Sequence, residues 1–375
     1  MVLSQIKAIG ERKLEIFKEY KNQIHIMPMK FNDVPVVTDC WVYNRLAIIR
    51  TSKHYEEWVA SHYNLISTEN HNFYFGETDF DLPSYYDPIL KRSAFRLLKA
   101  NRNNIVDKLC GQLSKGQYVV MHVKTVQEGS NFHEVLFYGF NKIAKCFYVV
   151  GLVKNLFNTY TIKFEELENT LDEIKEYFNS HLTRAMDLSL RFQFPATVFK
   201  LNKSYKPQNC ALEAYQKIKK ELYGGLIEKS PRVDFNGYGS SHKIFFGLSC
   251  LDSAYQMLQK EKSGGNDRWF RGITSAIKKL HEHRLMMLCS MRFLYKNWKG
   301  IMNEQTKSYI SEYEICCENV GRWVNKIIKY DITHDYSILD QIINDIPNEY
   351  EKEKECLDSF VNKSIDFKKY NDLFV

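Results

Sequence analysis

Between residues 117 and 164 the chain carries a succession of short segments with the grammar of strands. Gln117–Val123 is dense in β-branched and aromatic residues. Phe132–Tyr138 and Cys146–Leu152 have the same character, and Gly-Phe-Asn-Lys-Ile-Ala-Lys (139–145) between them reads as a hairpin turn. Tyr160–Phe164 adds a short strand ahead of a helical pattern over 165–179. The expectation is an α+β fold in which an antiparallel sheet packs against helices. Upstream, residues 4–20 suggest an amphipathic helix and Met27–Val37 an extended, proline-interrupted stretch. A helix carrying Val42, Leu46 and Ile49 on one face comes next, then helices around 54–62 and 89–113.

From about residue 181 the strand signals stop. Segments 208–223, 243–261, 267–299, 308–330 and 348–363 carry helical spacing, with Tyr295, Trp298, Trp323 and Ile327 as core anchors. At 375 residues the chain exceeds what one hydrophobic core usually serves. Two domains are expected, a mixed one over 1–180 and a helical one over 181–375.

Composition excludes more than it selects. No stretch approaches the roughly 18 uninterrupted apolar residues that a membrane span needs. The first residues show no apolar run followed by a small-residue cleavage site, so a cytoplasmic protein is expected. Nine cysteines are scattered with no Cys-x-x-Cys pair, which argues against a zinc site or a disulfide framework. The +7 charge is dispersed and accompanied by no nucleic-acid motif, so neither nucleic acid nor membrane is an expected partner.

One cysteine stands apart. Cys40, in Val-Val-Thr-Asp-Cys-Trp, follows the residues Thr38 and Asp39, either of which can cap a helix. In the first turn of a helix the unpaired N–H groups and the dipole favour a thiolate. His133, in Asn-Phe-His-Glu-Val-Leu-Phe-Tyr-Gly, heads one of the expected strands and could complete an activated nucleophile if the fold brought it near. The bland alternatives are a buried thiol packing a helix and an imidazole bonded to a carbonyl at a strand edge.

This order of elements resembles the papain-like cysteine protease fold, and within it the butirosin biosynthesis protein H-like family associated with thiotemplate assembly lines. The segments that carry the resemblance are Thr-Asp-Cys-Trp (38–41), Asn-Leu-Ile-Ser (64–67) with Asn-Phe-Tyr-Phe-Gly-Glu (72–77), Gly-Gln-Tyr-Val-Val-Met-His-Val (116–123), Phe-His-Glu-Val-Leu-Phe-Tyr-Gly-Phe (132–140) and Phe-Tyr-Val-Val-Gly-Leu (147–152). The helical second half, with His-Glu-His-Arg-Leu-Met (281–286), fits the same plan. The resemblance implies a cysteine-dependent acyltransferase. It would take an acyl group from the phosphopantetheine thioester of an acyl or peptidyl carrier protein and deliver it to an amine, in antibiotic-type secondary metabolism. Cys40 is then the acyl-accepting nucleophile and His133 its base and later acid. No metal or diffusible cofactor is implied.

Two positions depart from that pattern. Where a carboxylate or amide would orient the histidine, the string reads Phe147-Tyr148-Val149-Val150-Gly151-Leu152, leaving Asn155 or Asn141 as substitutes. Where an oxyanion-binding glutamine would precede the cysteine, the chain has Val34, Pro35, Val36 and Val37, with Asn32 the nearest amide. Two further readings stay open. Water could replace the amine, giving a peptidase, amidase or thioesterase, or the chain could be a non-catalytic assembly-line subunit. His122 alternates with apolar neighbours and reads as structural. His281 and His283, two apart on a helix, point about 200° away from one another and cannot share a metal. The aromatic stretch 72–86 reads equally as an acyl groove or as irregular core, and Leu-Met-Met-Leu-Cys-Ser-Met (285–291) as core filler.

Overall fold

A computed structural model describes residues 23–31, 36–68, 71, 73–76, 88–95, 97–124, 132–153, 156–180, 196–229, 242–264, 272–298 and 300–366. In chain order, β1 (Ile24–Ile26) and α1 (Cys40–Ile49) precede α2 (Tyr55–Ser61), β2 (Asn64–Thr68) and β3 (Phe73–Gly76). Then come β4 (Leu90–Ala94), α3 (Ile105–Ser114), β5 (Tyr118–Lys124), β6 (Phe132–Asn141), β7 (Cys146–Val153), β8 (Leu156–Lys163), α4 (Phe164–Ser180) and β9 (Ala196–Leu201). The remainder is α5 (Cys210–Leu222), β10 (Leu226–Lys229), β11 (His242–Phe246), α6 (Cys250–Lys262), α7 (Ile273–Asn297), α8 (Thr306–Thr333) and α9 (Tyr336–Lys363). The chain is α+β, and its strand pairings are antiparallel throughout the described residues.

The chain forms two compact units whose boundaries differ from the expected cut at 180. The first comprises residues 1–52 and 86–205, the second residues 53–85 and 206–375. Pairing partners explain the shift. β9, beyond residue 180, inserts between β4 and β5 of the first sheet, whereas β2, early in the chain, pairs with β11 of the second and carries β3 on its other edge. The C-terminal half is therefore not purely helical. Residues 243–246, expected to open a helix, belong to the strand β11, and residues 90–94, expected within a helix, are the strand β4. The helix expected over 4–20 lies outside the described residues.

In the first unit the sheet runs β4-β9-β5-β6-β7-β8, with β1 added alongside β6. The hairpin expected at 139–145 joins β6 to β7, with an irregular register between Phe137 and Gly139. There β1 lies so close that a Cβ on Gly139 would stand 2.5 Å from the His25 carbonyl oxygen. Helix α1 lies on one face. Val42, Tyr43, Leu46, Ala47, Ile48 and Ile49 are all buried, so the helix is enclosed well beyond the single face its spacing suggested. Phe137 and Phe147 line the opposite face, where Phe147 meets Phe164 at the start of α4. Core packing on both faces makes β6 a central strand.

The second unit places a four-stranded sheet, β10-β11-β2-β3, together with α2 and α5–α9. Trp298, Trp323 and Ile327 are buried there, and Tyr295 packs at the edge of the same core. Its interior also holds a polar knot. Both oxygens of the Glu353 carboxylate are occupied, Oε2 by Arg284 Nε (3.0 Å) and Nη2 (2.6 Å), Oε1 by the Tyr313 hydroxyl (3.0 Å). This joins α7, α8 and α9 at fully enclosed atoms, where a carboxylate persists only with its lone pairs satisfied. Nearby, His283 Nε2 stands 3.6 Å from Glu221 Oε2. Burial first, then the Glu353 charge, pushes Glu221 up to about 8 against the pull of Arg284 and Lys217. Burial holds His283 well below its usual range.

Glu221 gives the fold a pH signature. Its folded pKa lies above the unfolded 4.5, so folding takes up a proton between about pH 4.5 and about 8. The resulting stability is fully present below pH 4.5 and is lost as pH rises through about 8. Urea titrations should therefore show the wild type losing stability between pH 6 and pH 8.5, and Glu221→Gln losing less. Parallel decline in both proteins would show that the proton resides elsewhere.

Candidate active site

Cys40 is the first residue of α1. Asp39, the residue before it, has the extended backbone of an N-cap, and its carbonyl accepts from the Val42 N–H (3.1 Å) and the Tyr43 N–H (2.8 Å). Cys40 is half-buried and Cys289 is exposed, while the other seven cysteines are buried. Burial pushes the Cys110 and Cys210 thiols up to about 11 and Cys356 to about 12, which holds them protonated at neutral pH.

One helical turn beyond Cys40, on the same side of α1, lies Asn44. Its Nδ2 donates to Glu134 Oε1 (3.1 Å), and Arg45 Nη1 donates to the same oxygen (2.7 Å). Asn44, Arg45 and Glu134 are all buried. Two flanking ring contacts seat the helix. Tyr43 stacks on Phe157 of β8, ring centroids 4.0 Å apart, and the Arg45 guanidinium lies 5.0 Å from the centre of the Phe199 ring of β9. Register places Glu134, Phe157 and Phe199 on one face of the sheet, since Leu152 pairs with Phe157, Tyr118 with Phe199 and His122 with Glu134. That face is the one α1 covers.

This geometry bears on the histidines. Successive residues of a strand point to opposite faces. With Glu134 turned to α1, its neighbour His133 is turned to the face lined by Val135 and Phe137. His133 is half-buried there, and burial alone lowers its pKa. His122 is the cross-strand partner of Glu134 and shares the α1 face. The structure thus brings Cys40, Asn44, Glu134 and His122 to one side of the sheet and does not bring His133 to that side. Asn155 lies outside the described residues. Asn141, the other substitute, belongs to the hairpin, where its Oδ1 accepts from the Ala144 N–H and its Nδ2 donates to the Tyr148 hydroxyl.

Of the aromatic stretch, Phe73 and Phe75 are buried in β3 of the second unit, while 77–87 lie outside the described residues. Among the described residues no group of three metal-ligating side chains occurs, and no helix is long and apolar enough to cross a membrane. The Asn44–Arg45–Glu134 cluster was missed in the sequence, although a signal existed. An acid embedded in the apolar run Phe132–Phe137, and an Asn-Arg pair within a helix otherwise buried, each need a polar partner inside the fold.

Arg45→Met removes the stronger donor to a buried carboxylate. It should destabilise the first unit by about 3–5 kcal/mol and speed amide exchange across α1. Combining it with Glu134→Leu should restore much of the loss. A double variant no better than the single one would show that the charge pair does not seat the helix. No protein-family model matches the chain, and no curated protein does.

Proposed function

We propose that the first unit is a papain-like cysteine acyl-transfer domain of the kind found in the butirosin biosynthesis protein H-like family. The observation that supports it best is a half-buried cysteine opening a helix that is fastened, through buried Asn44 and Arg45, to a central strand of an antiparallel sheet. A thiol so placed meets the positive end of the helix and the N–H groups of its first turn. The same groups can stabilise the oxyanion formed when the thiolate attacks a carbonyl.

In this reading Cys40 Sγ attacks the carbonyl carbon of a carrier-bound thioester. The tetrahedral intermediate collapses with cleavage of the carbon–sulfur bond to the carrier, whose thiolate takes a proton from an imidazolium. An amine then attacks acyl-Cys40, the imidazole accepts its proton, and the Cys40 thiolate leaves. The donor is an acyl or peptidyl carrier protein presenting a phosphopantetheine arm. The acceptor is a primary amine, so the product is an amide.

Intact-protein mass spectrometry with an acyl-pantetheine thioester donor tests this directly. The expected result is one added acyl group, lost in Cys40→Ala and retained in Cys289→Ala, that persists in buffer and discharges onto an added amine. Rapid release of free acid with no amide would assign a hydrolase. A folded protein that never loads from several acyl donors would overturn the acyl-transfer reading.

A further inference from the structure

We propose that Glu221 and His283 form a one-proton latch in the second unit. The protonated Glu221 carboxyl donates to His283 Nε2 and pins the last turn of α5 to α7, and loss of that proton frees it. Geometry supplies the first support. Both side chains are buried, and His283 Nε2 stands 3.6 Å from Glu221 Oε2. Neither ring nitrogen of His283 has a hydrogen-bond partner among the described residues. An enclosed polar atom in that condition is costly and calls for an explanation. A carboxyl O–H pointed along the line to Nε2 supplies a donor after a contraction of about 0.8 Å.

The surroundings decide where the proton sits. Facing the pair are Lys217 on α5 itself, Cys250 on α6, Arg284 on α7, Tyr313 on α8 and Glu353 on α9. Arg284 directs Nε and Nη2 to Glu353 and Nη1 to the Leu280 carbonyl, while Lys217 Nζ donates to Ser290 Oγ (3.0 Å). Burial opposes an imidazolium at His283, and both cations oppose it further. Burial and the Glu353 charge oppose a carboxylate at Glu221 and outweigh the pull of the two cations. The arrangement that leaves neither group charged puts the acid hydrogen on Glu221, makes Nε2 its acceptor and places the ring hydrogen on Nδ1.

The latch sits at a seam of the unit. A Cβ on Gly247, whose φ is +63°, would stand 2.4 Å from the Glu221 carbonyl oxygen. The Gly224 N–H donates to the same carbonyl (3.3 Å), and Ser249 Oγ donates to the Gly225 carbonyl (2.9 Å). Movement of the last turn of α5 therefore reaches both the turn into β10 and the start of α6.

The test reads local opening on the full chain, by hydrogen–deuterium exchange of peptides from the last turn of α5, each rate divided by its intrinsic value at the same pH. The pinned state holds a proton that the open, hydrated carboxyl releases. The opening equilibrium should therefore rise by up to about tenfold per pH unit from pH 6 and level off above about pH 8. Glu221→Gln keeps a donor towards Nε2 but has no proton to lose, so its opening should not vary with pH. At pH 7 the infrared spectrum of the wild type should carry a protonated-carboxyl band that is absent from Glu221→Gln and fades as pH passes about 8. Nitrogen NMR should show a neutral His283 ring with its hydrogen on Nδ1. If Glu221→Gln fails to fold, the fading band and the ring tautomer of the wild type still settle the matter. An imidazolium or an Nε2–H tautomer at pH 7, or the same pH slope of opening in both proteins, overturns the latch.

Discussion

The buried Glu134 carboxylate is the constraint around which the first unit is arranged. A charge taken out of water is tolerated only with its oxygens satisfied, and Oε1 receives both the Asn44 amide and the Arg45 guanidinium. Apolar contacts alone would let α1 slide along or roll on the sheet, because they are non-directional. Two donors converging on one oxygen fix its rotation and its position along β6 together. The ring contacts of Tyr43 and Arg45 with Phe157 and Phe199 then act as lateral stops on either side. Cys40 inherits its placement from this lock, one turn away.

The second unit uses the same device for a different end. Arg284, Tyr313 and Glu353 form a knot with every member enclosed, and it ties three long helices. Here the thiols one turn away from Tyr313 and Glu353, Cys317 and Cys356, are buried, and the nearby Cys250 thiol is raised far above its usual range by burial. Glu221 and His283 both favour their neutral forms in this interior, so the knot's charge is confined to the Arg284–Glu353 pair. A buried ion pair is therefore not in itself a sign of chemistry. What distinguishes the first unit is a pair that positions a half-buried thiol at a helix start.

Much of the local structure was legible in the sequence. β5, β6 and β7 and the hairpin between the last two declare themselves through composition and turn residues, and α7 and α8 through spacing. The failures have physical causes. Residues 90–94 and 243–246 are short, and their strand character comes from partners distant in the chain, β9 and β2. The same long-range pairing moves the unit boundary, since β9 joins the first sheet from beyond residue 180 and β2–β3 join the second from before residue 86. α9 begins at Tyr336 and continues through Pro347, where a proline read from sequence marks a helix start or a break. Local rules cannot anticipate an outcome decided by tertiary packing.

The histidines show a sharper version of that limit. A strand read from sequence supplies a period of two but no origin, so it states that His133 and Glu134 face opposite ways without stating which way. Apolar alternation cannot choose either, because β6 is packed on both faces and Val135, Leu136 and Phe137 are all buried. The choice is made by the least apolar residue of the run. Glu134 has to find a donor inside the fold, Arg45 and Asn44 are the donors on α1, and their bond to Glu134 sets the parity of the whole strand. Once that parity is set, β5 follows through its register, and His122 takes the α1 face by virtue of pairing with Glu134. The acid next to the histidine, rather than the histidine itself, is thus the residue that determines which imidazole faces the cysteine's helix.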